Sequence, residues 1–247
     1  MNTYKTSEVA EMIGIHPNTV RLYEKLELIP KAQRLANGYR VFTDFHVAQL
    51  RLARIAFQIE VLQNGLRKKV VDIVKVSATG DFDSARRLTE EYLKQLRRER
   101  LQAEAAVNIT ERILSGERVE NTHFMKRKEV SVYLGISMDT LRNWEMNGLL
   151  AVKRKENGYR VYTDEDLQRL TIIRTLRVSN YSLEAILRML SQLSKNPQAD
   201  IRELLNTPDE EANIITACDK LISSLKEAVK NAQLMIEMLK DMKTKFK

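Results

Sequence analysis

Two arginines pose the first chemical question. Arg21 lies in T-V-R-L-Y-E (residues 19–24) and Arg142 in T-L-R-N-W-E (residues 140–145), 121 positions later. Around them stand Asn18, Thr19, Leu22, Tyr23 and Lys25 in the first stretch, and Asp139, Thr140, Asn143, Trp144 and Met146 in the second. A guanidinium suits guanine O6 and N7, a side-chain amide suits adenine, and an apolar group suits a thymine methyl. Arg40 and Arg160 close two copies of N-G-Y-R, with Tyr39 and Tyr159 before them. Lys126-Arg127-Lys128 and Lys153-Arg154-Lys155 add clustered charge of the kind that meets phosphates. Bond-making chemistry has no comparable residues. There is no phosphate-binding loop, paired-carboxylate motif or activated nucleophile. His16, His46 and His123 are dispersed, and a single cysteine, Cys218, excludes a disulfide framework or a multi-cysteine metal site. The residues point to binding, without catalysis, metal or cofactor.

Charge follows the same division. The net charge is +8, but residues 1–80 carry +5, 81–120 carry −1, 121–200 carry +4 and 201–247 carry 0. Two basic blocks separated by near-neutral segments suit a polyanionic partner. No apolar run approaches the roughly 18 residues of a membrane span. The N-terminal stretch lacks an apolar signal-peptide core. These features predict a cytoplasmic protein with no membrane partner.

The elements that must hold these residues occur twice. "SEVAEMIGIHPNTVRLYEKLELI" (7–29) aligns with "KEVSVYLGISMDTLRNWEMNGLL" (128–150), and "NGYRVFTD" (37–44) with "NGYRVYTD" (157–164). A short amphipathic helix ends at Gly14, a residue suited to a left-handed cap. A second begins at Pro17, with His16 as N-cap; Ser137 is the N-cap in the second copy. Two short helices about such a turn make a helix-turn-helix. A β-hairpin follows, with Asn37-Gly38 and Asn157-Gly158 at the tips, the residue pair of a type I′ turn. Thr43 and Thr163 then cap a third helix, the latter with Asp166 in a capping box. Helix-turn-helix plus hairpin is a winged helix.

Each copy ends in a long charged helix. Ile214, Cys218, Leu221, Leu225, Ala228, Ala232, Met235, Leu239, Met242 and Phe246 recur in steps of four and three, the coiled-coil spacing. Leu93, Leu96, Arg100, Ala103, Val107, Thr110 and Leu114 form a weaker seam. Cys218 on the seam reads as buried packing rather than as a redox sensor. The fold class is therefore mainly α: two winged helix-turn-helix domains (1–80 and 124–200), each followed by a long coiled-coil helix (81–116 and 201–247), with a linker at 117–123.

The combination T-[VL]-R-x-[YW]-E, N-G-Y-R-x-[YF], a Thr-capped helix and a long coiled-coil helix resembles the MerR family of bacterial transcription regulators, present twice. The resemblance implies a protein that binds double-stranded promoter DNA, bends and untwists an overlong spacer, and so acts on RNA polymerase holoenzyme indirectly. It implies phosphate contacts from Arg40 and Arg160; Lys153 and Arg154 join the DNA-binding set through their charge run, as electrostatic contacts. Tyr39 and Tyr159 either bond phosphate or pack; Tyr23 and Trp144 either touch backbone or join the core. The pattern departs from the family where Leu22 and Asn143 replace the usual aromatic. No effector domain is read after the second helix, and the cysteines of the family's metal sensors are missing, so metal sensing is not expected.

Family members are homodimers joined by an antiparallel pair of long helices. Here an eight-residue link, 116–123, reaches at most roughly 28 Å, enough if the first helix ends beside the second winged helix. The expected form is a monomeric pseudo-dimer, nucleoid-associated, with its two long helices antiparallel; two paired chains with four readers are the alternative. A homodimer needs equivalent half-sites, whereas a fused pair can diverge and read an asymmetric operator, with an adenine preference from Asn143. Competing functions are an architectural DNA-bender in recombination or packaging, and an effector sensor with a pocket at the coiled coil.

Overall fold

The structure, a computed structural model, describes residues 2–58, 65–115, 124–152, 160–206 and 220–246. The chain divides into two compact units. One comprises Met1–Arg98 with Ser224–Lys247, the other Glu99–Ser223.

In the first unit, α1 (Thr6–Ile13) and α2 (Pro17–Lys25) form the helix-turn-helix. Gly14 takes φ +70° and sends its amide back into α1. The His16 ring nitrogen Nδ1 accepts the Asn18 amide at 3.1 Å, capping α2, while Pro17 occupies a first-turn position that needs no N–H. β2 (Gln33–Arg34) and β3 (Arg40–Thr43) make the wing, and β1 (Thr3–Tyr4) pairs antiparallel with the other edge of β3, Tyr4 opposite Phe42. That third strand is too short to leave a sequence signal of its own. α3 (Asp44–Ala56) starts at Thr43, whose amide donates to His46 Nδ1 at 3.1 Å, a histidine standing where a capping box usually has Glu or Gln. α4 (Leu66–Ala78) and the first half of α5 (Phe82–Leu114) complete the local chain.

The wing tip differs from the expected type I′ turn. Type I′ needs positive φ at both central residues, but Asn37 keeps a negative φ and Gly38 alone is left-handed, at +81°. The Gly38 amide donates to Leu35 O at 2.8 Å and the Leu35 amide to Tyr39 O at 2.9 Å. This is a three-residue loop, a type I turn closed by a left-handed glycine. Asn37 Oδ1 accepts the Tyr39 amide, which holds the asparagine in that turn. The corresponding tip at Asn157-Gly158 lies outside the described residues.

α11 (Leu221–Phe246) supplies Ser224–Phe246 to this same unit. Lys243 Nζ donates to Asp83 Oδ1 at 2.7 Å, and the Phe45 ring meets Phe246 at 5.3 Å and Phe82 at 5.6 Å. The seam residues Leu225, Ala228, Ala232, Met235, Leu239 and Met242 are buried, as are Phe82, Ala85, Thr89, Leu93 and Leu96 of α5. The end of α11 therefore meets the start of α5 within this unit. Ile214 and Cys218 lie outside the described residues, and Leu114 is exposed rather than part of the seam.

The second unit repeats the plan. β4 (Phe124–Lys126) pairs with β5 (Val161–Thr163), Met125 opposite Tyr162; α6 (Arg127–Leu134), α7 (Met138–Met146), α8 (Asp164–Val178) and α9 (Leu183–Lys195) follow. Glu8 and Glu129 each accept the amide of an N-cap lysine, Lys5 and Lys126, at 2.7 Å. Ser137 Oγ caps α7 through the Thr140 amide, and Thr163 and Asp166 form the reciprocal capping box. A short additional helix, α10 (Ile201–Asn206), packs on α9. The second half of α5 belongs here: Tyr181 donates its hydroxyl to Ala103 O, Gln168 its amide to Ile113 O, and Arg202 bonds Asn108. Among the described residues no helix is long and apolar enough to cross a membrane.

Candidate nucleic-acid interface

The second helix of each helix-turn-helix has two faces. On α2 the inner face is Val20, fully buried, and Tyr23, only 9% exposed with its ring edge-on to Phe57. On α7 it is Leu141 and Trp144, the latter 5% exposed. Burial of both aromatic rings places them in the core, so the packing alternative describes where they sit. Asn18, Arg21, Leu22 and Lys25 face outward on α2, with Arg21 donating to Asn18 Oδ1 at 3.0 Å. Asp139, Arg142, Asn143 and Met146 occupy the same positions on α7, all exposed. Thr19 and Thr140 are half-buried; Thr140 Oγ1 lies 2.8 Å from the capping Ser137 Oγ.

The last residue of each recognition motif ties this helix to its wing. Glu24 Oε2 meets Arg40 Nε at 2.6 Å while Oε1 accepts the Ala32 amide at 3.1 Å. Glu145 Oε2 meets Arg160 Nε at 2.7 Å, and its other oxygen accepts the Tyr162 hydroxyl. Burial first, and then the Glu145 carboxylate, push the Tyr162 phenol well above its ordinary range, so it stays a donor. The two glutamates are about one-tenth exposed, the two arginines a quarter to a third. The pair of motifs is thus one mechanical part: the arginine of the wing holds the glutamate of the helix. Arg40 and Arg160 enter this ion pair through Nε, a bond the sequence reading missed because the partners are 16 and 15 positions apart across a hairpin.

A second brace lies behind. Gln49 is fully buried and donates to Leu28 O and Val74 O, while accepting from Ser77 Oγ. Its counterpart Arg169 donates to Leu149 O at 2.7 Å. Both pin the third residue after the recognition helix, by different chemistry.

In the first unit, α2, the wing and the end of α4 enclose an open groove of about 920 Å³. Its walls carry Arg21, Lys25, Lys31, Arg34, Arg40 and Lys75 against Glu24 and Glu27. Tyr39, on the wing beside Arg40, is 70% exposed. Lys31 and Arg34 belong to no motif in the sequence and join the groove through the hairpin. Lys75, on a helix some fifty residues after α2, becomes part of the groove only through the fold. In the second unit, Arg127 is drawn inward and donates to Met138 O at 2.9 Å, so the Lys126-Arg127-Lys128 run is not wholly a solvated charge cluster. Lys153, Arg154 and Tyr159 lie outside the described residues. Among the described residues no group of three His, Cys, Asp or Glu side chains is placed to hold a metal ion.

Comparison with known proteins agrees with both halves of the chain. Residues 5–42 match a family model described as "MerR family regulatory protein", and residues 125–193 one described as "MerR HTH family regulatory protein". A probable heavy metal-dependent transcriptional regulator of Haemophilus influenzae is 31% identical over 116 residues, 47% of this chain and 82% of that protein. The HTH-type transcriptional regulator ZntR of Escherichia coli is 39% identical over 64 residues, 26% of this chain and 45% of its own length. The mercuric resistance operon regulatory protein of Bacillus cereus is 33% identical over 51 residues, 21% of this chain and 39% of that one. No solved structure matches the chain.

Proposed function

Because the chain belongs to the MerR family of regulatory proteins, we propose that it works as a fused pair: one polypeptide supplies both DNA readers that other arrangements draw from two chains. Its members being regulators rather than enzymes, the chain is a DNA-binding transcription regulator. The finer reading is that 1–80 and 124–200 are the two readers, and that 81–116 and 201–247 are the paired helices that join them. Bound to a promoter, the pair bends and untwists the spacer and so alters engagement by RNA polymerase holoenzyme, in the cytoplasm and without a metal or cofactor.

The observation that supports the fused pair is the exchange of long helices. The first winged helix shares its unit with the end of α11, through Phe45–Phe246, and Lys243 of that end meets Asp83 at the start of α5. The second shares its unit with the end of α5, through Tyr181–Ala103 and Gln168–Ile113. Each reader thus holds the end of the long helix that the other copy's alignment would assign to a partner. The outward faces of α2 and α7 then enter the major groove. Arg40 and Arg160, steadied at Nε by glutamate, direct the rest of the guanidinium toward phosphate, a contact that positions without specifying. Lys25 and Tyr39 extend that contact in the first unit, and Lys153, Arg154 and Tyr159 in the second.

The test is the mass of the chain on a footprinted duplex. One chain per duplex, protecting two half-sites, is expected. Two chains per duplex would replace the fused pair with a four-reader homodimer. Permanganate reactivity of the spacer in the bound duplex checks the distortion; an unreactive spacer would remove untwisting from the mechanism.

A further inference from the structure

The two readers present different chemistry from one frame. Both recognition helices are anchored by a buried aliphatic residue, Val20 or Leu141, and clamped to the wing by one Glu–Arg pair. Equivalent outward positions are therefore held alike. At the position after the motif arginine the first reader has Leu22, 48% exposed, and the second has Asn143, also exposed. Leucine offers only apolar contact, which a thymine methyl satisfies. The asparagine amide offers one donor and one acceptor, the complement of adenine N6 and N7 in the major groove. Among the described residues the Asn143 side chain carries no hydrogen bond, its backbone carbonyl alone accepting from Asn147. The neighbouring positions diverge in the same sense: Lys25 against Met146, Asn18 against Asp139. The outer face of α2 therefore carries two positive charges, Arg21 and Lys25, whereas on α7 Arg142 is offset by Asp139.

We propose that the chain binds duplex DNA in one orientation only, on two unlike half-sites, with Asn143 reading an adenine in one and Leu22 a thymine methyl in the other. This rests on the fused-pair reading above. A symmetric dimer has no polarity, since exchanging its halves restores the same complex. A covalent pair with unlike readers has polarity. Turning it round sets Asn143 against a methyl group and leaves the adenine edge facing leucine, so both contacts are lost together. The protein then marks a direction on the DNA as well as a place.

The experiment is selection of bound sequences from randomised duplexes by the full chain, alongside Asn143→Leu and Leu22→Asn. Both positions are exposed, so unchanged urea midpoints are expected and exclude a folding defect. The wild-type chain should select a non-palindromic site. Asn143→Leu should lose the adenine at one half-site and bind the wild-type site about tenfold more weakly, while Leu22→Asn should bring adenine into the other half. A palindromic wild-type site would overturn one-way binding, and the same site selected by Asn143→Leu would overturn the assignment of the adenine to Asn143; either leaves the regulator reading intact. No enriched sequence from any variant would overturn the regulator reading, and this inference with it.

Discussion

In the first winged helix the Glu24 carboxylate receives Arg40 and the Ala32 amide; in the second, Glu145 receives Arg160 and the Tyr162 phenol. Gln49 holds Leu28 O, and Arg169 holds Leu149 O. His46 accepts the N-cap amide of α3, and Asp166 that of α8. At each of these places the mechanical need is constant and the residue meeting it is not. A carboxylate with two bonds must join recognition helix to wing, and a donor must fix the carbonyl after that helix. What varies is the outward face beside the shared arginine: Asn18 against Asp139, Leu22 against Asn143, and Lys25 against Met146. The comparison separates residues that shape the reader from residues that read.

That separation breaks most visibly at the inner aromatic. If Trp144 is scaffold, Trp144→Ala leaves a core cavity and costs about 3–5 kcal/mol, read as a lower urea midpoint. Asn143→Ala, its neighbour on the outer face, should change stability by less than about 0.5 kcal/mol. A Trp144→Ala chain of undiminished stability but weak DNA binding would move that ring to the reading side. Next in size is Tyr162→Phe, which converts the second clamp into the first copy's Phe42. It removes a part-buried hydrogen bond to a carboxylate, worth about 1.5–3 kcal/mol. Denaturant unfolding checks it; a neutral outcome would mean that Glu145 finds another donor, as Glu24 does in the Ala32 amide.

Features carried by neighbours in sequence were legible before the structure. His16, Ser137 and the Thr163–Asp166 box cap the helices they were read to cap, because a cap is decided within three residues. The repeat revealed two units, and the four-and-three spacing revealed the seam of α11. Contacts closed by the fold were not legible. The Glu24–Arg40 clamp needs the hairpin register, and β1 and β4 are two or three residues whose partner strand comes about forty positions later. Lys75 enters the basic groove from a helix with no local mark of that role. The wing tip misled for a different reason: Asn-Gly also suits a three-residue loop, and Asn37 chose its own Asx bond over a left-handed backbone.

A smaller effect sharpens the comparison at the end of the recognition helix. Glu27 takes φ +61°, and its counterpart Gly148 takes +76°. A non-glycine residue in that region costs about 1–2 kcal/mol; the ion pair of Glu27 with Lys75, 3.7 Å long with Glu27 mostly in water, offsets little. Glu27→Gly should therefore stabilise the chain by up to about 1 kcal/mol once the extra freedom of glycine in the unfolded chain is subtracted. Gly148→Glu should move stability the other way. Thermal unfolding of the two variants tests whether the copies share this backbone requirement; a loss from Glu27→Gly would show that the glutamate side chain contributes more than its strain.

The smallest expected effect is a pH dependence confined to one copy. Burial holds the His46 imidazole below its ordinary value of 6.5, and its Nδ1 must stay unprotonated to accept the Thr43 amide. The Phe42 ring packs edge-on to it at 5.3 Å, and Glu24 is the acidic group whose charge favours its protonation. Above pH 6.5 the ring is neutral folded and unfolded, and its contribution is fully present. As pH falls below 6.5 the unfolded chain takes up the proton first, so stability declines until the folded ring also titrates. The His46→Gln chain keeps an acceptor at the same capping position and has no imidazole there to titrate. Between pH 7.5 and 5.5 the wild-type chain should lose more of its urea midpoint than His46→Gln does. Equal losses would mean that the copies differ in residue but not in pH response, because the folded imidazole would then titrate as it does in water despite its burial.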